Sequence, residues 1–220
     1  MKMNFDVVFQ NMPFLLAATL VTVEITLISF LLALCIAFVV GTLRYYFKSR
    51  TLGILLMLYV EIFRGSPLLI QLFLIYYGLP SVGVVMSAFT AGILGLALNG
   101  GAYISEIIRA SFMSVDKGQR EAAFSLGYSN LKTIYHIILP QAIRIAIPSL
   151  MNSFSSILKD SSLVSVISIT ELARAGNLIY YRTTRPFEIY LTLGIFYILM
   201  TVTISLFSKY LEGRSRKWGL

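Results

Sequence analysis

Residues 14–43, FLLAATLVTVEITLISFLLALCIAFVVGTL, form an apolar run that a single charged residue, Glu24, interrupts. About 20 consecutive apolar residues are enough for a helix to cross the hydrocarbon core of a bilayer. The run therefore predicts a transmembrane helix. Because a carboxylate at mid-depth is costly in contact with lipid, we expect Glu24 either to contact a substrate or to form a hydrogen bond between helices.

Four further apolar runs follow, and together with the first they predict an all-α membrane protein. Three of them contain charged residues, and the last contains none. We expect a single transmembrane domain over residues 1–220, with the two termini on opposite sides of the bilayer. The five predicted spans cover residues 14–43, 52–77, 82–108, 142–169 and 189–208.

The composition points to lipid as the main solvent of the chain. Of its 220 residues, 57% are hydrophobic and 13% are charged, and the mean hydropathy is +0.81. A soluble domain of this length needs more polar residues to cover its core, and five spans leave no room for a separate catalytic domain. The net charge of +8 would favour nucleic acid binding in a soluble protein. Here most basic residues flank apolar runs, so we expect no nucleic acid partner.

The sequence predicts neither a disulfide nor a metal site. Cys35 is the only cysteine and lies inside the first apolar run, where packing is its expected role. His136 is the only histidine and has no partner at the spacing of metal ligands. We expect His136 to be solvated or to contact another protein.

Basic residues predict the orientation of the chain, because they concentrate in the cytoplasmic loops of membrane proteins. Three lysines or arginines separate spans one and two, five separate spans three and four, and four follow span five. The other side carries four, including Lys2. The richer side should be cytoplasmic, which places the N-terminus outside and the C-terminus inside.

The polar connection over residues 111–141 has a helical pattern of its own. Asp116, with Gln119 three residues later, is typical of a capping box that opens a short helix. Gly127 is a natural helix end, and Ser129 can cap a second helix. Pro140 follows that helix shortly afterwards. The segment therefore predicts a helix-turn-helix at the cytoplasmic surface.

This segment also carries a motif with fixed spacing. Residues 121–127, EAAFSLG, are followed after nine residues by residues 137–140, IILP. The pattern resembles the EAA loop of bacterial ABC importer permeases. The resemblance implies that the loop is a coupling helix that docks into a groove of an ATPase subunit. The residues to which it assigns this role are Glu121, Ala122, Ala123, Gly127, Ile137, Leu139 and Pro140.

The resemblance extends over most of the chain. Residues 61–67 (EIFRGSP), Gln71, 101–106 (GAYISE) and 159–163 (KDSSL) resemble the polar amino acid branch of these permeases, and residues 75–80 (IYYGLP) look closest to its cystine-type members. Members of that branch have five spans and work as dimers. The resemblance therefore implies several partners in the bacterial cytoplasmic membrane: a second permease subunit, identical or paralogous, two ATPase subunits, and an extracytoplasmic amino-acid-binding protein.

The chain itself has no G-x-x-x-x-G-K-[ST] sequence for binding ATP. Hydrolysis must then come from a partner. We expect a transport subunit that is not an enzyme and binds no cofactor, with ATP and Mg²⁺ on the partner ATPase.

Ionisable residues inside the spans are candidates for the substrate path. Lys159 and Asp160 are adjacent, so on a helix they point about 100° apart and cannot face each other well. At least one should face a cavity, where Asp160 could attract an ammonium group; a local charge network is the alternative. Ser162 of the same motif and Asn99, which precedes two glycines, are assigned to the path with Glu24. Helix packing is the alternative role for Asn99.

The second span contains a possible ion pair and a helix break. Glu61 and Arg64 stand at i, i+3 and can pair directly. Gly65 and Pro67 predict that the helix ends or kinks there. We assign Glu61, Arg64 and Gln71 a structural role or a place along the path.

Three residues of the last outer loop, Tyr180, Tyr181 and Arg182, either contact the binding protein or lie in the aromatic belt at the membrane surface.

Two other classes of protein fit the pattern less well. An ion-driven transporter could use Glu24 and Asp160 as a relay, but this leaves the EAA spacing unexplained. A membrane enzyme would need a convergent catalytic set that the sequence lacks. Among substrates, the motifs favour cystine or another polar amino acid such as glutamine. If Glu24 and Asp160 both line the cavity, a cationic amino acid such as arginine also fits.

Overall fold

The computed structural model describes residues 4–46 and 49–216. Lys2, Lys48 and Lys217, three of the basic residues that predict the orientation, lie outside them. Within the described residues the chain is helical and contains no strand, which confirms the all-α class. In chain order the α-helices are α1 (Asp6–Gln10), α2 (Met12–Tyr46), α3 (Arg50–Gly65), α4 (Leu68–Phe73), α5 (Ala88–Met113), α6 (Lys117–Ser125), α7 (Asn130–Thr133), α8 (Leu139–Asp160), α9 (Leu172–Thr183) and α10 (Pro186–Arg216).

Four helical stretches of the described chain are long and apolar enough to cross a membrane, and a bent helix pair gives a fifth if it is counted as one span. The pair consists of α3 and the helical stretch Leu68–Val82, which meet at an angle of 107°. The break lies at Ser66 and Pro67, where the sequence predicts it. Proline has no N–H to continue the helix, and it keeps the preceding residue extended.

The other spans differ from their predicted bounds. The third span begins at Ala88 instead of residue 82, because Gly83 adopts a φ of 86° and the Ser87 side chain caps the new helix. The fourth span loses α-helical form after Asp160, and its predicted outer part is a 3₁₀ turn, Ser161–Ile167. The fifth span is longer at both ends than residues 189–208.

The second helix of the predicted two-helix loop is continuous with the fourth span, which its sequence does not indicate. We expected its second helix to end before Pro140, but the helical path runs unbroken from Asn130 to Ile167. A π-helical turn, Ile134–Ile138, ends two residues before Pro140. Such a turn shifts the backbone hydrogen bonds by one residue, so a proline can follow without ending the helix. The second loop helix is therefore the first part of the fourth span.

Helix α5 lies at the centre of the molecule, and α2 packs along it in the most extensive helix contact. Three hydrophobic clusters follow α2 from its first turns to its last. The first joins Leu15 to α9 and α10, the second surrounds Ile25, and the third joins Ala33 and Ala37 to α5 and α8. This packing leaves an open cavity on another side of α5, between the α3–α4 break and α8.

Candidate functional site

The cavity has a volume of about 790 Å³ and is walled by three elements. The α3–α4 break contributes Arg64 to Leu68, and α5 contributes a stripe that includes Asn99 and Tyr103. The wall from α8 is polar and ends at Asp160. The structure thus brings together three of the predicted path residues, Arg64, Asn99 and Asp160, although they are far apart in the sequence.

Arg64 forms no ion pair with Glu61, contrary to what their spacing allows. Its guanidinium group lies over the Tyr103 ring, 5.3 Å from the centroid. The Tyr103 hydroxyl in turn donates to the Arg64 carbonyl oxygen at 3.4 Å. Stacking on an aromatic ring stabilises a guanidinium group without neutralising it. A positive charge therefore remains at the cavity wall, while Glu61 is exposed and does not line the cavity.

Asp160 supplies the negative charge of the cavity. It is the last residue of α8, and its carboxylate is half-buried and accepts no hydrogen bond from the described residues. The C-terminal end of a helix already carries partial negative charge. A carboxylate placed there attracts a cationic group strongly, because neither the helix end nor a neighbouring donor neutralises it.

A polar stripe on α8 leads along the cavity wall to Asp160 and was not predicted. Its members follow helical spacing along one side of the helix, which was the available sequence signal. A run of small polar residues inside an apolar span is easily overlooked, because none of them is charged. The stripe consists of Ser149, Asn152, Ser153 and Ser156.

Asn99 is held by two hydrogen bonds to the α3–α4 segment. Its side-chain nitrogen donates to the Phe63 carbonyl oxygen at 2.9 Å and to the Gln71 side-chain oxygen at 3.1 Å. Gln71 is buried and contacts the break instead of the cavity. Asn99 therefore packs between helices, as the alternative considered for it expects, and also lines the cavity.

The structure does not bring the remaining predicted path residues to this cavity. Glu24 is exposed on α2, while its neighbours Thr22 and Ile25 are buried against other helices. Lys159 is exposed beside Asp160 but does not line the cavity, and the Ser162 hydroxyl donates to the Lys159 carbonyl oxygen at 2.8 Å. Adjacent helical residues point in different directions, and of this motif only Asp160 lines the cavity.

The predicted contact residues of the outer loop belong to the last turn of α9. Tyr180 packs against Tyr190 of α10, with ring centroids 5.9 Å apart. Tyr181 and Arg182 are exposed. Of the three, Tyr180 has a packing role within the chain, whereas the other two form an accessible surface.

The segment from α6 through the π-helical turn, residues 117–138, forms an elbow. Asp116 caps α6 by accepting a hydrogen bond from the Gly118 N–H at 2.7 Å, and Ser129 caps α7. Gly127 ends α6 with a φ of 80°, and its N–H and that of Tyr128 bond back to α6 carbonyls. This closing pattern favours glycine, which adopts a positive φ without a steric penalty. The motif glycine therefore shapes the elbow.

The elbow presents apolar side chains to its surroundings. Ala123 of the motif is buried and fixes α6 against the chain, whereas Glu121 and Ala122 are exposed. Leu126 is 77% exposed, Leu131 is 79% exposed, and Phe124, Tyr128 and Tyr135 are also exposed. Exposed apolar side chains of this kind are typical of surfaces that contact another protein or a membrane.

Arginines pair with a glutamate where α2 and α5 end near the elbow. Glu106 of α5 pairs with Arg44 of α2, and it also pairs with Arg109 at 2.8 Å. A carboxylate that joins two arginines makes strong charge-assisted hydrogen bonds. These contacts hold the two central helices in register where the elbow leaves α5. Among the described residues, no three His, Cys, Asp or Glu side chains are grouped as metal ligands would be.

Comparisons with known proteins give a consistent result. The family model described as "Binding-protein-dependent transport system inner membrane component" matches residues 33–217. The L-cystine transport system permease protein TcyB of Bacillus subtilis is 38% identical over 96% of this chain and 90% of its own length. The probable amino-acid ABC transporter permease protein PatM of Vibrio harveyi is 34% identical over 99% and 98%. A crystal structure of an amino acid ABC transporter with histidines superposes with a TM-score of 0.91 at 36% identity, over 97% of this chain and 100% of that one.

Proposed function

The chain belongs to the family of binding-protein-dependent transport system inner membrane components, and on this premise we propose that its cavity is the path of an imported amino acid. It is a permease of the amino acid ABC importer type, a transport subunit and not an enzyme. The observation that carries the proposal is the cavity lined by Arg64, Asn99 and Asp160. Its opposite charges lie on different helices and are not paired with each other.

The lining favours a zwitterionic amino acid with an uncharged polar side chain. Asp160 attracts the α-ammonium group, and Arg64 provides a cationic partner for the α-carboxylate. The rest of the polar wall consists of hydroxyl and amide groups, which suit a side chain such as that of glutamine or cystine. A cationic amino acid would need a second acidic residue in the lining. Glu24, the residue considered for that role, lies elsewhere.

Substitution of Asp160 by Asn tests this path. The change keeps the shape of the side chain and removes the charge that would hold the ammonium group. In proteoliposomes that contain the complete importer, we expect the KM for uptake to rise about tenfold, as the loss of one charge-assisted contact predicts. Lys159→Gln is the matched control, because Lys159 is adjacent but lies outside the lining. Equal uptake by Asp160→Asn and the wild type would contradict the assignment.

The elbow is the proposed coupling site to the ATPase. Its exposed apolar side chains, from Phe124 to Tyr135, form a surface for docking, and Gly127 gives the turn its shape. The elbow continues into α8 without a break, and α8 carries Asp160 at its far end. A movement of the elbow would therefore be transmitted to the cavity along one helix. A cysteine introduced into the elbow tests the contact, because the bound ATPase subunit should slow its reaction with a maleimide.

The proposed assembly contains two permease subunits, two ATPase subunits that bind ATP and Mg²⁺, and an extracytoplasmic binding protein. Tyr181 and Arg182 are available for contact with the binding protein. We place the N-terminus outside and the elbow in the cytoplasm. ATP-driven closure of the ATPases would move the elbows and open the cavity outward, so that ligands bias an equilibrium between two packed states. An ion relay through Glu24 and Asp160 is disfavoured, because these residues do not share a cavity.

A further inference from the structure

The break between α3 and α4 leaves backbone carbonyl groups without their usual helical partners. The last carbonyls of a helix have no intrahelical donor, and within a membrane only protein groups or the water of a cavity can satisfy them. Side chains satisfy them here. The Ser66 hydroxyl donates to the Ile62 carbonyl oxygen at 2.6 Å, and Gln71 donates to the carbonyl oxygens of Phe63 and Ser66 at 2.9 and 3.0 Å. Gln71 is therefore the main side chain that closes the break.

Gln71 uses both ends of its amide in this arrangement. Its nitrogen donates to the α3 end, and its oxygen accepts the hydrogen bond from the Asn99 side-chain nitrogen. The side chain is buried and does not line the cavity. Gln71 thus connects the broken span to α5 without being available to a substrate.

The orientation of the Asn99 amide follows from these bonds. Its nitrogen has two hydrogens. One is donated to the Phe63 carbonyl oxygen of α3, and the other is donated to the Gln71 side-chain oxygen of α4. If the amide were turned around, its oxygen would face these two acceptors. The side-chain oxygen of Asn99 therefore points away from them and accepts no hydrogen bond from the described residues, although Asn99 lines the cavity.

We propose that Gln71 is a positioning residue, which orients the Asn99 amide so that the Asn99 side-chain oxygen can accept a hydrogen bond from a group in the cavity. By holding the Asn99 nitrogen, it presents the Asn99 oxygen to the substrate, where a donor such as the α-ammonium group binds. This inference rests on the proposed function of the cavity as the substrate path. It assigns to Gln71 a selective role that acts through Asn99 and not through direct contact.

A double-mutant cycle between the two residues tests the inference. Proteoliposomes with the complete importer and its binding protein are first assayed with radiolabelled L-cystine and each common amino acid, and the best-transported one serves as the probe. We expect Gln71→Met to raise the KM about tenfold with kcat changed less than about twofold, a coupling within the range known for residues in contact. In the Asn99→Leu background, the same change should have little further effect, because there is no amide left to orient.

Two further variants separate positioning from stability. Gln71→Glu keeps an acceptor for the Asn99 nitrogen but cannot donate to the carbonyls, so it should keep a KM near the wild-type value even if the protein is less stable. Tyr59→Phe removes another hydrogen bond between α3 and α5, from the Tyr59 hydroxyl to the Leu98 carbonyl oxygen at 2.7 Å, and should leave the KM unchanged. Size-exclusion profiles and thermal unfolding of each variant report its folding.

The outcomes distinguish this inference from the proposed function. Additive effects of Gln71→Met and Asn99→Leu, or an equal rise in KM for Gln71→Glu and Gln71→Met, would overturn the positioning role and leave the path intact. An unchanged KM in Asn99→Leu would show that no substrate group meets this amide and would overturn it as well. If the wild-type importer takes up none of the probes, this result contradicts both the proposed substrate path and the positioning role of Gln71.

Discussion

Glu171 is a fully buried carboxylate that joins three parts of the molecule. It precedes α9 and caps it, because its two oxygens accept hydrogen bonds from the N–H groups of Ala173 and Arg174 at 2.9 and 2.8 Å. The Tyr197 hydroxyl of α10 donates to the same carboxylate at 3.1 Å. The neighbouring N–H of Leu172 donates to Thr22 of α2 at 3.0 Å. This network ties α9 to α2 and α10 through polar contacts inside the apolar core.

Removal of the Glu171 side chain should destabilise the protein strongly. Glu171→Ala leaves two partly buried N–H groups and one hydroxyl without this acceptor, at a cost of up to about 1–3 kcal/mol for each group. Thermal unfolding of the purified protein should show a large fall in Tm. Asp116→Ala removes the cap of α6 in an exposed place, where water can replace the lost acceptor. A fall in Tm for Asp116→Ala as large as that for Glu171→Ala would contradict the role of the buried network.

Among single residues, sequence reasoning identified groups whose chemistry is unusual in a membrane, but not their neighbours. Asp160, Asn99 and Arg64 were predicted because charges and amides are rare within apolar spans, and they line one cavity. Glu24 has the same chemistry but lies on the exposed side of α2. Depth along a helix can be counted from the sequence, whereas the direction in which a side chain faces depends on which helix packs beside it.

At the scale of helices, the contact between α2 and α5 depends on a close approach at Gly41. A Cβ atom at this position would lie 2.7 Å from the backbone carbonyl oxygen of Ser105, and its next neighbours belong to Ile108. A backbone atom of a central helix cannot move away as the end of a flexible side chain can. The two helices are therefore in register only while residue 41 has no side chain.

Gly41→Ala should weaken the packing of α2 on α5. Overpacking of this kind costs about 1–3 kcal/mol, and we expect a lower Tm and less folded protein in the membrane. Gly53→Ala is the matched control, because Gly53 also lies inside a helix but has open space around it. There, alanine should be neutral or stabilising by about 0.5–1 kcal/mol. A similar Tm for both variants would argue against the close approach as the constraint.

Helix ends were predictable where a local rule governs them and less so where packing does. The break at Pro67, the stop at Gly127 and the cap at Ser129 follow from proline, glycine and serine chemistry. Pro140 obeys the same local rule and should have ended a helix, yet the preceding π-helical turn accommodates it. The α-helix also ends after Asp160, where the sequence has no proline or glycine that would predict the end.

For the whole molecule, the elbow lies at the same end as the last turn of α2. Tyr46 packs against Phe112, with ring centroids 5.5 Å apart, and Arg44 pairs with Glu106. The first turns of α2 pack against α9 at the other end. Arg44 and Arg109, two of the basic residues behind the predicted orientation, thus meet at Glu106 at this end.

Cysteine labelling can test this orientation and the coupling surface together. Ser81 and Ser125 are both exposed serines, the first in the turn after span two and the second in the elbow. In a Cys35→Ser background, we expect Ser81→Cys to react with a membrane-impermeant maleimide from outside the cell, and Ser125→Cys to react only in inside-out vesicles. Added ATPase subunit should slow the labelling of Ser125→Cys by about tenfold or more, as burial in a specific interface excludes the reagent, without changing that of Ser81→Cys. Labelling of the elbow from outside would reverse the proposed orientation, and unchanged labelling in the presence of the ATPase would remove the elbow as its docking site.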